Sequence, residues 1–349
     1  MATPRLRIVD PEVTPWYHCI SRCVRRAFLC GEGFAHRKQW IEDRLQELVG
    51  LFAMDCAGFA VMDNHLHLLL RLDPQRGAGW TALEVAERWL RLFPLRGLDG
   101  NALPVSDPRL KELAAEAATV ATLRTRLADL IWFMKCLKEP LARRANAEDQ
   151  CTGAFWAARF RSVAILDEAS LLATAAYIDL NPVAAGIAPT PEQSEHTSFR
   201  ARLVHCRNGW LLDTLPDDLS TRTHEPAQET GNWLLPVEDC RPAAGARPGL
   251  MPGLTLSCYC RLIDWTSRVV RDGKAHVPEA LDSIFARLQA GPDAWGLTVS
   301  RLFALPKTAG NHFGSPARLG DAAQKHGQRW VRNQFPRTES ARAQSSSAA

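Results

Sequence analysis

The 349-residue chain lacks any uninterrupted apolar run near the ~18–20 residues that a membrane-spanning helix needs, and the stretch that ends at Leu70 meets charge at Arg71. Its start, Met1-Ala-Thr-Pro-Arg-Leu-Arg, has neither an apolar secretory core nor a small-residue cleavage site, so a cytoplasmic protein without a membrane partner is expected. No CxxC pair occurs among the ten cysteines. Scattered singly in a chain this long, they exclude a disulfide framework and a zinc knuckle and read as buried thiols. Tyrosine is scarce, with three against 13 phenylalanines and 11 tryptophans. Net charge is small as well, +4, and it is concentrated at one end. Residues 1–200 hold 24 basic and 24 acidic side chains, whereas residues 301–349 hold eight and two. A basic end of this kind can neutralise phosphates.

Periodicity supplies most of the fold. Trp16 to Arg22 is a β-prone run bounded by Pro15. From His36 to Phe52 the residues Trp40, Ile41, Leu45, Leu48 and Leu51 recur at helical steps among charges. Met54 to Met62 and His65 to Leu72 are β-capable runs joined by Asp63-Asn64, a turn-forming pair that predicts a hairpin. Helical patterns return at Thr81 to Leu92 and Ala118 to Ala145, separated by a loop over Gly97 to Pro108. Phe155 to Ile165 reads as a strand, and Asp167 to Leu180 as a helix opened by its aspartate and closed before Pro182. These elements predict an α+β domain over residues 1–200, a mainly antiparallel sheet with helices on one side. Residues 201–255, rich in Pro, Gly, Asp and Thr, predict an irregular connector. Short helices at 254–270, 276–290 and 295–305 predict a helical accessory region over 256–335, and residues 336–349 read as a disordered tail.

Two features carry chemistry. In a strand, His65 and His67 project to one face while Leu66 enters the other. Two adjacent imidazoles are half a metal site, or two ordinary strand histidines. Tyr177 lies four residues before Asn181 in Tyr-Ile-Asp-Leu-Asn-Pro, so a phenol and an amide oxygen can share a helix face. A hydroxyl nucleophile beside an oxygen ligand suits metal-assisted attack on a phosphodiester. The alternative is that Tyr177 packs on the sheet while Asn181 and Pro182 end the helix.

The ordered series Tyr17-His-Cys-Ile-Ser-Arg-Cys-Val-Arg-Arg, Met62-Asp-Asn-His-Leu-His-Leu-Leu-Leu, Phe155-Trp-Ala-Ala-Arg-Phe-Arg-Ser and Ala176-Tyr-Ile-Asp-Leu-Asn-Pro resembles the single-tyrosine HUH transposases, closest to their REP-associated branch, over residues 10–200. The resemblance implies an HUH palm of ferredoxin-like type, with Tyr177, His65 and His67 as catalytic residues. It implies Mg²⁺ or Mn²⁺ held by His65, His67 and Asn181, and cleavage and transfer of single-stranded or hairpin DNA through a 5′-phosphotyrosine, by a monomer or homodimer. Asp63 and Asp179 depart from the family's usual residues; either carboxylate is a ligand or a surface residue, and the surface is the preferred expectation. Phosphate contacts are expected from Arg22, Arg25, Arg26, Arg159 and Arg161, because clustered guanidiniums bind phosphates and stack on bases. A basic stripe at Lys135, Lys138, Arg143 and Arg144 is either a further DNA contact or a solvated face. Two other functions fit the same residues: a DNA- or structured-RNA-binding protein that does not cleave, and a metallohydrolase that uses water and has no need of Tyr177.

Overall fold

The computed structural model describes residues 8–97, 101–205, 233–237, 249–272, 281–305 and 309–335. Most of the predicted 201–255 connector and the 336–349 tail lie outside them. The chain runs β1 (Trp16–Arg22), α1 (His36–Leu51), β2 (Met54–Val61), β3 (His65–Leu72), α2 (Pro74–Ala78), α3 (Ala82–Leu92), α4 (Asp107–Ala115), α5 (Ala117–Leu127), α6 (Leu130–Glu148) and β4 (Arg161–Ile165). It continues through α7 (Glu168–Asp179), α8 (Asn181–Ala184), α9 (Ser198–His205), α10 (Leu256–Asp272), α11 (Asp282–Leu288), α12 (Pro292–Phe303), β5 (His312–Phe313) and α13 (Pro316–Lys325). No helix among the described residues is long and apolar enough to cross a membrane.

The fold is α+β around one five-stranded sheet in the order β2-β3-β1-β4-β5, antiparallel except for the β4–β5 pair. Strands β1 to β4 with α1 and α6 in their crossovers give the βαββαβ order of a ferredoxin-like palm. The hairpin turns at Asp63-Asn64, closed by the Met62 N–H donating to the His65 carbonyl at 2.8 Å. A bulge between Cys56 and Gly58 shifts the β2–β3 register by one residue.

Helices cover both faces of the sheet, which corrects the expectation of cover on one side. The reason lies in the strands: all eight residues of β2 and six of eight in β3 are buried, so neither face is left to solvent. On one face Leu66, Leu68, Leu70, Tyr17 and Cys19 meet Ile41, Leu45 and Leu48 of α1 and Phe133 and Leu137 of α6. On the other, Ala60, Leu69, Val163 and Ile165 meet Leu172, Ala175 and Ala176 of α7. Small residues along α7 let it lie close to the sheet, and α10 and α12 pack against it in turn. Helices α10, α11 and α12 thus share a continuous core with α7.

Some local features differ from the sequence pattern. The helix expected over 118–145 is two, because Asp129 accepts from the Trp132 N–H and caps a new start after Leu127. Within the expected 155–165 strand only Arg161–Ile165 pairs regularly. Asp107 to Ala115, part of which was expected as loop, is helical behind Ser106 and Pro108.

Candidate active site

The face of the sheet beneath α7 carries the polar cluster. Antiparallel partners point the same way, so the pairings Ile20↔His67 and Arg22↔His65 put His18, Ile20 and Arg22 of β1 beside His65 and His67 of β3. Arg161 of β4 pairs with Ile20 on the far side of β1. Over this patch α7 brings Tyr177, whose ring centroid lies 5.3 Å from that of His67 and 5.8 Å from that of His18. Asn181 is buried just after α7 ends, and its side chain contacts both His65 and Tyr177. The helix breaks at Leu180, yet Asn181 still faces the same spot as Tyr177.

Each imidazole of the pair has one nitrogen already held. Asn64 Oδ1 lies 2.7 Å from His65 Nδ1, and His18 Nε2 lies 2.8 Å from His67 Nδ1. His18 and His67 are each 1% exposed. His67 Nε2 and Asn181 Nδ2 are buried there without hydrogen-bond partners. A ligating histidine has this arrangement, one nitrogen fixed by a second group and the other free. Among the described residues no set of three or more His, Cys, Asp or Glu is gathered to hold a metal. A cation at this place would therefore take His65, His67 and the amide oxygen of Asn181. On these observations the residues fit one divalent ion, with oxygen from water or phosphate completing its shell.

Burial sets the protonation states. It pushes His18 down to about 3, helped by the Arg161 charge, and His65 down to about 4, helped by Arg22. His67 falls well below the usual imidazole value through burial and its two imidazole neighbours. All three are neutral at pH 7, the form that binds metal. Burial raises Tyr177, while Asn181, Arg22 and Arg161 act in the opposite direction. The ring of Phe303 of α12 lies against that of Tyr177, with centroids 4.8 Å apart. Arg161 donates to the Gly310 carbonyl at 2.6 Å.

Of the arginines expected to meet phosphate, Arg22 and Arg161 lie in this cluster. Arg25 and Arg26 are exposed on the segment after β1, with Arg26 close enough to act on His65. Arg159 lies elsewhere, lining a groove of about 400 Å³ with Ile131, Met134, Lys138 and Trp156. The basic stripe on α6 is engaged locally: Arg143 pairs with Glu139, Arg144 lies over Trp40, and Lys135 over Trp132. Asp63 pairs with Lys38 at 2.7 Å. Asp179, expected at the surface, is instead 1% exposed. It accepts from Tyr259 Oη at 2.5 Å, from the Phe199 N–H at 3.0 Å and from Ser198 Oγ.

Two residues escaped the sequence reading. His18 stood in a quoted motif, but its place beside His67 depends on the β1–β3 register, which one sequence does not display. Asn64 stands in the hairpin turn and in a quoted motif, without a role of its own there. Its position immediately before His65 was the available signal.

No protein-family model matches the chain, and no curated protein does. A solved structure, that of the REP-associated tyrosine transposase bound to a REP hairpin, is similar over 60% of this chain and 88% of that one, at 13% identity and a TM-score of 0.33. A likeness of that strength carries no conclusion about activity.

Proposed function

We propose that the chain is a metal-dependent single-tyrosine transposase that cuts single-stranded DNA at hairpin-bearing repeats and transfers the strand. The observation that supports this best is the gathering of Tyr177, His65, His67 and Asn181 on one patch, from β3 on one side and α7 and α8, about a hundred residues later in sequence, on the other. Tyr177 Oη attacks the phosphorus in line with the leaving 3′-oxygen. The O–P bond to tyrosine forms, the P–O3′ bond breaks, and the phenolic proton ends on the free 3′-hydroxyl. The resulting 5′-phosphotyrosine retains the bond energy needed for rejoining.

Arg22 and Arg161 serve two ends. Their charges favour the phenolate that burial disfavours, and they offer donors to the phosphate that approaches it. His65, His67 and Asn181 would hold Mg²⁺ or Mn²⁺, which would supply Lewis acidity at the phosphate. Neutral ligands leave its charge undiminished. Asn64 and His18 hold the two imidazoles in orientation through their second nitrogens. Phe303 limits water at the tyrosine.

Tyr177→Phe separates this function from its rivals, because it keeps the ring and removes one oxygen. With a labelled single-stranded hairpin oligonucleotide and Mg²⁺ or Mn²⁺, strand transfer should vanish in the variant while binding persists. Cleavage that survives Tyr177→Phe would establish a water-based hydrolase. Binding without cleavage by the unaltered chain would establish a binding protein.

A further inference from the structure

The segment after β1, Cys23-Val-Arg-Arg-Ala-Phe-Leu-Cys-Gly31, is tied down at several points and presents an unusual outer surface. The Cys23 N–H donates to the Asn64 carbonyl and the Cys30 N–H to the Asp63 carbonyl, both at 2.8 Å. Asn64 Nδ2 donates to the Arg26 carbonyl at 3.3 Å. A Cβ placed on Gly31 would lie 3.1 Å from Phe28 Cβ and 3.2 Å from Asp63 Cβ, so the segment rests directly on the turn that leads into His65. Cys23 and Cys30 are buried beneath it.

Arg25 and Arg26 both have left-handed backbone conformations, with φ of 53° and 58°. Two consecutive non-glycine residues in that region are strained, and such strain concentrates where a ligand is held. The consequence is that Arg25, Arg26 and Phe28 all face solvent, with Phe28 64% exposed. Glu32 is the one acid against three arginines over residues 22–34. Single exposed apolar residues are common. Among the described exposed ones, Phe28 is set apart by standing two residues from a strained arginine pair and against the turn before His65.

We propose that Phe28 is a stacking platform for one unpaired nucleobase of the strand whose phosphate reaches Tyr177, with Arg25 and Arg26 holding the phosphates on either side. A flat apolar ring flanked by guanidiniums is the combination that holds single strands without reading their sequence. The identity of the strand rests on the strand-transfer reading; the stacking itself requires no cleavage.

The test uses the full chain in EDTA, so that binding is measured apart from chemistry. The probe is a labelled hairpin oligonucleotide with unpaired thymidine flanks, in which 2-aminopurine, and then an abasic site, is moved one position at a time. At one flank position, 2-aminopurine fluorescence should fall on binding to the unaltered chain but not to Phe28→Ala. Phe28→Ala should bind about 5- to 150-fold more weakly, the span of base–aromatic stacking, and Phe28→Tyr should restore affinity. An abasic site at that position should weaken the unaltered chain and leave Phe28→Ala unchanged. Equal affinity and equal quenching for Phe28→Ala at every position overturn the proposal, as does a loss that is the same on intact and abasic probes. Self-association abolished by Phe28→Ala, without any effect on DNA, also overturns it and assigns the surface to a second copy. If stacking is found and no cleavage ever is, this subsite stands and the strand-transfer reading falls.

Discussion

Removing one oxygen from Tyr259 should destabilise the protein by an amount the structure sets. Asp179 lies at the end of α7, two residues past Tyr177, and receives hydrogen bonds from α10 through Tyr259 and from α9 through Ser198 and Phe199. The Ser198 hydroxyl also accepts from the Phe59 N–H of β2 at 3.0 Å, so one buried carboxylate fastens α7, α9, α10 and the sheet together. Tyr259→Phe keeps the ring, which is 2% exposed, and so leaves apolar burial unchanged. The carboxylate retains two donors and is not stranded. What is lost is one buried hydrogen bond, about 0.5–1.5 kcal/mol. Urea unfolding followed by tryptophan fluorescence should show the midpoint fall with an unchanged slope. Burial raises the Asp179 carboxyl, against the pull of Ser198, Tyr259 and Arg202. The loss should therefore shrink as the pH falls and the carboxyl takes up a proton. A loss below about 0.5 kcal/mol at neutral pH, or one that grows with acid, would refute the picture of the Asp179 carboxyl as the tie point.

The buried imidazoles make acid the weak side of the fold. Their folded-state values lie below the unfolded one of 6.5, about 3 for His18 and about 4 for His65. Above pH 6.5 both states are neutral and these groups contribute nothing to the slope; below it the unfolded chain gains protons first, and stability falls until the folded values are reached. His18 alone can account for a loss of about 5 kcal/mol across that window. Urea midpoints flat between pH 7 and pH 5 would contradict this. His18→Gln should weaken Mn²⁺ binding to the full chain by about 10- to 100-fold, measured calorimetrically, because His67 loses the partner that orients it. Unchanged affinity would remove His18 from that role.

Local patterns transferred well from sequence to structure. Trp16–Arg22 and His36–Leu51 occur almost as their periodicities predict, and Asp63-Asn64 turns the hairpin, because alternation, helical spacing and turn chemistry are all short-range. Asp167 caps α7 by accepting from the Ser170 N–H at 2.9 Å, another signal contained within four residues. The features that went unread depend on distant contacts. His18 became visible beside His67 only through the pairing of β1 with β3. Asp179 looked like a surface acid until α9 and α10 arrived from 20 and 80 positions away to cover it. The same holds for β5, a two-residue strand that exists because residues 309–335 return to the edge of β4. The spacing of Tyr177 from Asn181 is legible in the sequence, but its contact with Phe303 of α12 has no trace in the local pattern.

The most direct test of the central claim is to map the covalent product. The full chain is incubated with Mg²⁺ or Mn²⁺ and a single-stranded hairpin oligonucleotide from beside its own gene, denatured, digested and examined by mass spectrometry. The account predicts a DNA 5′-phosphate on the peptide that contains Tyr177, a released fragment whose 3′-hydroxyl a polymerase can extend, and loss of both in Tyr177→Phe and His65→Ala. DNA attached to any other residue, or tight binding with no adduct and no cleavage across both metals, would contradict it.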